Sequence, residues 1–131
     1  KYVNQLRSNT FIARGKEERA ANNKPWYITA DKLRDTQTGK ISGFKILDDY
    51  TFDPNEPILI VDDICDGGGT FIGLAEELKK LGAENLYLYV THGIFSKGLA
   101  DLNKLFNLIF TTSSFDPDIQ MDKEQLVIIN Y

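Results

Sequence analysis

The sequence predicts an α/β fold, in which helices flank a mostly parallel β-sheet, and this prediction depends on three observations. Residues 58–61 form a continuous apolar run after Pro57, as in a central strand covered on both faces. Apolar residues then recur at helical spacing up to a helix-ending Gly82, and these are Phe71, Leu74, Ala75, Leu78 and Leu81. Residues 86–90 return as a short apolar strand. A strand, a helix and a strand of these lengths predict a right-handed crossover in a parallel sheet.

Weaker patterns predict the remaining elements of the second half. Ser96 is a candidate N-cap for a second helix, which would carry Leu99, Leu102 and Phe106. Residues 108–110 and 126–129 have the apolar character of two further strands.

The first half of the chain is less periodic. Its opening residues are polar and helix-prone, and no strand is expected before them. Residues 26–28 and the apolar positions Ile41, Phe44 and Ile46 flank a turn-forming segment at 35–40, so residues 26–47 are predicted to form a β-hairpin flap. A doubly wound domain normally begins with a strand, so we expect the chain to be the later part of a longer protein.

Length and composition narrow the class of protein. The chain has 131 residues, of which 42% are hydrophobic and 26% charged, which predicts a single globular domain over residues 1–131. A net charge of −4 argues against a nucleic-acid partner. One cysteine cannot form an internal disulfide, and the sequence has no long apolar run. We therefore expect a soluble cytoplasmic protein without a membrane partner.

The candidate site follows the first central strand. In an open parallel sheet, ligands bind beyond the carboxyl ends of the strands, and the segment Asp62-Asp63-Ile64-Cys65-Asp66-Gly67-Gly68-Gly69-Thr70 is predicted to lie there, between strand and helix. The glycines let backbone N–H groups face an anion, and the helix N-terminus adds a favourable dipole. Thr70 can donate its hydroxyl to the same phosphate. Carboxylates cannot bind phosphate directly, so Asp62 and Asp63 are predicted to accept hydrogen bonds from sugar hydroxyls or to hold Mg²⁺. Together these groups suit a sugar phosphate.

The same segment resembles the phosphoribosyl-pyrophosphate motif of type I phosphoribosyltransferase folds. Within that superfamily it is most similar to the ribose-5-phosphate loop of the ribose-phosphate pyrophosphokinases, or phosphoribosyl pyrophosphate synthetases. Two other segments resemble the same family: Thr91-His92-Gly93-Ile94-Phe95-Ser96 after the next strand, and Lys32-Leu33-Arg34, which is similar to the catalytic Lys-x-Arg. These blocks are scattered over roughly residues 25–115.

The resemblance implies transfer of the β,γ-diphosphoryl group of ATP to the anomeric hydroxyl of ribose 5-phosphate, with Mg²⁺ as cofactor and phosphoribosyl pyrophosphate as product. It implies catalytic roles for Lys32 and Arg34 and metal binding by Asp62 and Asp63. The implied substrate-binding residues are Asp62, Asp63, Asp66, Gly67, Gly68, Gly69 and Thr70. Homo-oligomeric assembly is also expected. A phosphoribosyltransferase that joins the same product to a base, and a non-catalytic regulatory homologue, are the alternatives.

The sequence departs from the family pattern in three places. Gly67 stands where the family usually has a threonine, and Lys97-Gly98-Leu99 replaces the glycine and proline that usually follow the Thr-His-Gly segment. We do not expect this chain to include the N-terminal half of the synthetases, which carries much of the ATP site, so it should be a fragment, a cleaved piece or a reduced homologue. We therefore expect this chain to lack synthetase activity on its own.

Other interpretations fit less well. Receiver domains also have an acid pair at a strand end, but that strand opens the domain and needs no glycine loop. A Walker-type loop is disfavoured because no Gly-Lys-Ser/Thr follows the glycines. Cys65 is interpreted as a packing residue, although a position before a helix could lower its pKa. His92 could contact the ligand or serve as a hydrogen-bonded structural histidine.

Overall fold

A mixed sheet organises the chain. The computed structural model describes residues 10–14, 27–46, 51–115 and 125–130. Their elements in chain order are β1 (Thr10–Arg14), β2 (Tyr27–Arg34), β3 (Ile41–Ile46), β4 (Pro57–Cys65), α1 (Gly69–Lys80), β5 (Asn85–Gly93), α2 (Ala100–Asn103), β6 (Leu108–Thr112) and β7 (Leu126–Ile129). The strands lie in the order β3-β2-β1-β4-β5-β6-β7. Neither helix in these ranges is long and apolar enough to cross a membrane.

The second half of the chain forms the parallel part of the sheet, as predicted. Strands β4, β5, β6 and β7 pair in parallel, each with the next. Helix α1 connects β4 to β5 and buries the predicted apolar stripe, except that Leu81 is only partly buried. The turn after α1 needs Gly82, whose φ is +100° and whose hypothetical Cβ would lie 2.7 Å from the Phe52 carbonyl oxygen. The crossover that the sequence predicts is therefore present.

The predicted hairpin is also present. Strands β2 and β3 pair antiparallel, and a bulge lies between Leu33 and Arg34 in the pairing. The Asp35 carboxylate organises the turn because it accepts hydrogen bonds from the N–H groups of Gln37, at 2.8 Å, and Thr38, at 2.9 Å. These bonds lower the pKa of Asp35. The predicted hairpin ends, at residues 26 and 47, lie outside the described ranges.

The expectation for the start of the chain was wrong at residues 10–14. These residues form β1, which pairs antiparallel with β2 on one side and with β4 on the other. Its central residue Ile12 is fully buried. A five-residue strand between polar segments has too little periodicity to be recognised locally, and its two partners come from later in the chain. Strand β1 joins the hairpin to the parallel part of the sheet.

The second helix is shorter than predicted and does not begin at Ser96. Helix α2 has four residues, and its N-cap is Leu99. Residues 94–98 instead form a turn that uses positive φ angles at Phe95 (51°) and Gly98 (74°). The predicted apolar positions of this region are nevertheless buried, with exposed fractions of 4% for Leu99, 2% for Leu102 and 1% for Phe106. The apolar pattern predicted burial correctly but not the helix start.

Candidate functional site

The glycine loop connects β4 to α1 at the carboxyl edge of the parallel strands. Gly68 is the N-cap of α1 and has a φ of +83°, which favours glycine. A Cβ on Gly68 would also lie 3.4 Å from the Leu102 side chain, so both the backbone conformation and the packing favour glycine at this position. Gly69 differs, because a Cβ there would meet nothing within 4 Å. The loop therefore packs against the protein at Gly68 and has free space beside it at Gly69.

The N–H groups of this loop are available to a ligand. Helix α1 has no side-chain cap, and its first residues include no acidic side chain. Within the described part of the chain, the N–H groups of residues 67–71 make no backbone hydrogen bond, whereas Ile72 N–H donates to the Gly68 carbonyl at 3.0 Å. Unpaired N–H groups at a helix start attract anions. The predicted phosphate-binding role of Gly67, Gly68, Gly69 and Thr70 has a suitable geometry.

The acid pair lies within β4 and not in the loop after it, which corrects the predicted strand end at residue 61. Strand β4 continues to Cys65, and Asp62 still pairs with Val90 of β5. Asp62 is half-buried, while Asp63, Ile64 and Asp66 are exposed. The ladder to β5 therefore holds the two carboxylates on a rigid element and not on a loop.

The two carboxylates have opposite electrostatic environments. Asp63 N–H donates to Asp62 Oδ1 at 2.9 Å, and Ile64 N–H donates to Asp63 Oδ1 at 2.8 Å. Burial raises the pKa of Asp62, and hydrogen bonding between the side chains raises it further. The same side-chain hydrogen bond lowers the pKa of Asp63. Asp63 is therefore the more readily ionised member of the pair.

Lys32 of the hairpin lies on the same side of the sheet as α1. It pairs directly with Phe44, and directly opposed residues of an antiparallel pair project to one face. Phe44 packs against Gly73 of α1, where a Cβ would collide with the ring. Although burial dominates and raises the pKa of Asp62, the charge of Lys32 acts in the opposite direction. Lys32 thus projects from the face of the sheet that carries α1, and its charge acts on the Asp62 carboxyl.

Arg34 lies near the hairpin turn. Its Nη1 donates to the Gly39 carbonyl oxygen at 3.1 Å, and the side chain is exposed. The structure does not show Arg34 at the glycine loop. To act on a ligand there, its guanidinium would have to leave Gly39.

Other polar groups at this edge of the sheet come from β5 and β6. His92 is the register partner of Ile64, and its charge contributes to the lowered pKa of Asp63, for which the side-chain hydrogen bond from Asp62 is the largest cause. His92 Nδ1 lies 2.6 Å from Ser114 Oγ, which in turn donates to the Thr91 carbonyl at 3.0 Å. His92 is therefore hydrogen-bonded, as the structural interpretation predicts, and is also near the acid pair. Ser114 has no sequence motif and was missed.

Cys65 packs in the core, as its interpretation predicts. Its side chain is fully buried, and burial, followed by the charges of Asp66 and Asp62, raises its pKa to about 12. The position before α1 does not make this thiol acidic, because residues 66–68 separate it from the helix and its side chain is buried.

A cleft of about 620 Å³ separates the hairpin from the start of α1. Its lining includes Lys40 and Phe44 from the hairpin side and Gly69, Thr70 and Glu76 from α1. The cleft gives a ligand at the glycine loop room to extend toward the hairpin.

The acid pair suits Mg²⁺ held jointly with a substrate. Among the described residues, no group of three or more His, Cys, Asp or Glu side chains could hold a metal ion. Mg²⁺ commonly uses one or two carboxylates together with waters and substrate phosphates, so Asp62 and Asp63 are sufficient protein ligands for that mode.

The sheet, the hairpin, the acid pair and the glycine loop define a type I phosphoribosyltransferase-like α/β protein. A structure of phosphoribosylpyrophosphate synthetase from Mycobacterium smegmatis has the same fold, with a TM-score of 0.57 and 22% identity over 70% of this chain and 30% of that one. No protein-family model matches the chain.

Curated relatives identify the family by sequence. The ribose-phosphate pyrophosphokinase of Mycoplasmopsis pulmonis is 36% identical over 103 residues, which are 76% of this chain and 31% of that protein. The enzyme of the same name from Thermococcus kodakarensis is 54% identical over 41 residues, which are 31% of this chain and 15% of that protein. The chain therefore belongs to the ribose-phosphate pyrophosphokinase family. It spans less than a third of the length of each of these two relatives.

Proposed function

We propose that this chain forms the ribose 5-phosphate site of a ribose-phosphate pyrophosphokinase, which transfers diphosphate from ATP to ribose 5-phosphate. One observation carries the proposal: the acid pair of β4 and the unpaired N–H groups of the glycine loop lie at one edge of the sheet, and the charge of Lys32 of the hairpin acts on Asp62 there. These are the groups that a sugar phosphate and a transferring diphosphate need.

The glycine loop binds the phosphate of the sugar in this proposal. The N–H groups of residues 67–71 lack internal partners in the described part of the chain, so a phosphate gains hydrogen bonds without displacing any. The N-terminus of α1 adds a favourable dipole, and Thr70 lines the adjacent cleft.

The acid pair binds the ribose hydroxyls. Asp63 is exposed and has a lowered pKa, so it is available at neutral pH as an ionised acceptor. Asp62 lies beside it on the same strand, where the ladder to β5 fixes its position. Bound Mg²⁺, held by Asp62 and Asp63 with substrate oxygens, would neutralise negative charge on the diphosphate.

In the reaction, the anomeric oxygen of ribose 5-phosphate forms a bond to the β-phosphorus of ATP. The bond between that phosphorus and the oxygen of the α-phosphate breaks, AMP leaves, and the proton of the anomeric hydroxyl passes to solvent. Negative charge on the transferring group is stabilised by fixed cations. In this proposal Lys32, whose charge acts on Asp62, supplies one such cation, and Arg34 supplies another once its guanidinium leaves the Gly39 carbonyl. The buried, free Cys65 suits action in a reducing cytoplasm.

Calorimetry tests the proposal with the 131-residue chain in the presence of Mg²⁺. We expect ribose 5-phosphate and phosphoribosyl pyrophosphate to bind, and ribose without its phosphate to bind at least about a hundredfold more weakly, because the loop contacts are charge-assisted. Equal affinities for ribose and ribose 5-phosphate, or no binding of any of the three, would reject the proposal.

A further inference from the structure

The turn that follows β5 is attached to the start of the glycine loop. Ile94 N–H and Phe95 N–H donate to the Cys65 carbonyl at 2.9 and 3.2 Å, and Ser96 N–H donates to the Asp66 carbonyl at 3.0 Å. The Phe95 ring is buried, and its positive φ of 51° turns the chain sharply. These contacts fix the backbone position of residue 97, although its side chain is exposed.

The Lys97 side chain lies over Gly67 of the loop. A Cβ on Gly67 would be 3.7 Å from both Cδ and Cε of Lys97 and 4.0 Å from its Nζ. These are ordinary van der Waals distances, so the Lys97 side chain packs next to the position that a side chain of residue 67 would occupy. The ammonium group therefore lies beside the N–H groups proposed to bind phosphate.

The Lys97 ammonium is not neutralised by the described residues around it. The ion pairs found in the described ranges are Lys80 with Glu77 and Lys104 with Asp101, and neither involves Lys97. Asp66, the nearest acidic residue in the loop, contacts the turn through its backbone carbonyl. A cation beside unpaired N–H groups, on a chain of net charge −4, makes a local positive site for an anion.

We propose that Lys97 is a phosphate-binding residue of the glycine loop and that its ammonium contacts the phosphate of the bound sugar. This inference rests on the proposed function and adds to it a ligand outside the matched motif segments. It also connects two departures from the family pattern: Gly67 lacks the hydroxyl usually found at its position, and Lys97 occupies the adjoining space with a cation. The loss of one phosphate donor is offset by the gain of another.

The test is calorimetry of ribose 5-phosphate and of inorganic phosphate with Lys97→Met, which keeps an unbranched apolar stem and removes the charge. We expect the variant to bind both ligands about tenfold more weakly, since one charge-assisted contact is lost at an exposed site. The difference from the parent should shrink as salt is added. Lys97→Arg should retain most of the affinity, because it keeps the cation.

Lys79→Met is the matched control, because Lys79 lies in the last turn of α1, at the opposite end of that helix from the loop. It changes the net charge equally and should leave both affinities unchanged. A second variant returns the hydroxyl: Gly67→Thr added to Lys97→Met should recover part of the lost affinity. Failure of that recovery would contradict the exchange of one donor for the other.

The two proposals fail in different ways. If the parent chain binds ribose 5-phosphate and Lys97→Met binds it equally well, or loses no more than Lys79→Met, the role of Lys97 is wrong and the sugar-phosphate site stands. If the parent binds neither ribose 5-phosphate nor inorganic phosphate, both proposals are wrong.

Discussion

The backbone N–H of Asp63 donates to the Asp62 carboxylate at 2.9 Å, so this hydrogen bond fixes the Asp62 carboxylate beside Asp63. We therefore make the same binding prediction for the two positions. Asp62→Asn or Asp63→Asn should weaken ribose 5-phosphate binding by about ten- to a hundredfold, because each removes a charged acceptor from the sugar hydroxyls. Binding of inorganic phosphate should change much less. Calorimetry with both ligands checks this, and equal losses would mean that the acids shape the loop and do not contact the sugar.

The acid pair should also affect stability in a pH-dependent way. Burial raises the pKa of Asp62, so the folded state binds its proton more tightly than the unfolded state does. The ionised carboxyl then destabilises the fold at neutral pH, and Asp62→Asn should raise the Tm there by a few degrees. This gain should shrink as the pH falls through the raised pKa and should be lost below the ordinary value of 3.8, where both states are protonated.

Asp63→Asn is the control for that measurement. The pKa of Asp63 is lowered, chiefly by the side-chain hydrogen bond from Asp62 and also by the backbone N–H of Ile64. The bond from Ile64, at 2.8 Å, persists when Asp62 is ionised, so the ionised form of Asp63 stabilises the fold at neutral pH. Its replacement should therefore lower the Tm at neutral pH. Thermal unfolding between pH 3 and 8 compares the two variants, and a Tm change of the same sign in both would contradict the assigned environments.

The glycine loop permits a test that separates ligand binding from folding. Gly69→Val should block the approach of a phosphate while leaving the Tm nearly unchanged, because its Cβ meets nothing within 4 Å and the residue borders the cleft. Gly68→Val should instead lower the Tm, since a φ of +83° and the Leu102 side chain at 3.4 Å both oppose a larger residue. Unchanged ribose 5-phosphate affinity in Gly69→Val would reject the phosphate assignment.

Cys65 should be unreactive in the folded chain. Burial raises its pKa to about 12, and the side chain has no exposed surface. Alkylation by iodoacetamide at pH 7.5 should be at least about a hundredfold slower than in urea, because it requires local opening and deprotonation of the thiol. Fast labelling of the native chain would restore the alternative of a reactive thiol before the helix.

The sequence predicted those features that depend on local patterns. The apolar run at 58–61, the stripe from Phe71 to Leu81 and the turn residues 35–40 each determine a nearby element, and the structure has all three. Strand β1 was not predictable in this way, because its place between β2 and β4 depends on partners distant in sequence. The end of β4 at Cys65 was missed for the same reason. Pairing with β5, which is distant in sequence, extends β4 through two acids that have low strand propensity.

The candidate site was predictable only as far as its motif. The order of acids, glycines and threonine identified one continuous segment, and the resemblance added Lys32 and Arg34. The contacts of Lys97 with Gly67 and of His92 with Ser114 join residues 30 and 22 positions apart, respectively, and no local pattern signals either one. The presence of a lysine where the family usually has a small residue was the available signal for Lys97.

The hairpin cations give the last prediction, which concerns turnover. Lys32 and Arg34 should stabilise charge in the transition state more than they bind ribose 5-phosphate, because the Arg34 guanidinium is held by Gly39, at 3.1 Å, and the phosphate loop has its own N–H donors. The chain spans 31% of the Mycoplasmopsis pulmonis enzyme, so activity is measured in a chimera in which this chain replaces the matching segment of that enzyme.

In the chimera, Lys32→Ala and Arg34→Ala should each lower kcat by about a hundred- to a thousandfold, the usual effect of removing one such positioned group, with less than about a threefold change in the Kd for ribose 5-phosphate. Lys45→Ala is the matched control, because Lys45 lies on the same hairpin. Lys45 pairs with Asp31, one position from the pair of Lys32 with Phe44, so its side chain projects to the opposite face of the sheet. It should leave kcat unchanged. Normal turnover in both the Lys32 and Arg34 variants would make these residues ordinary surface charges, and a loss in Kd equal to the loss in kcat would assign them to substrate binding instead of the transition state.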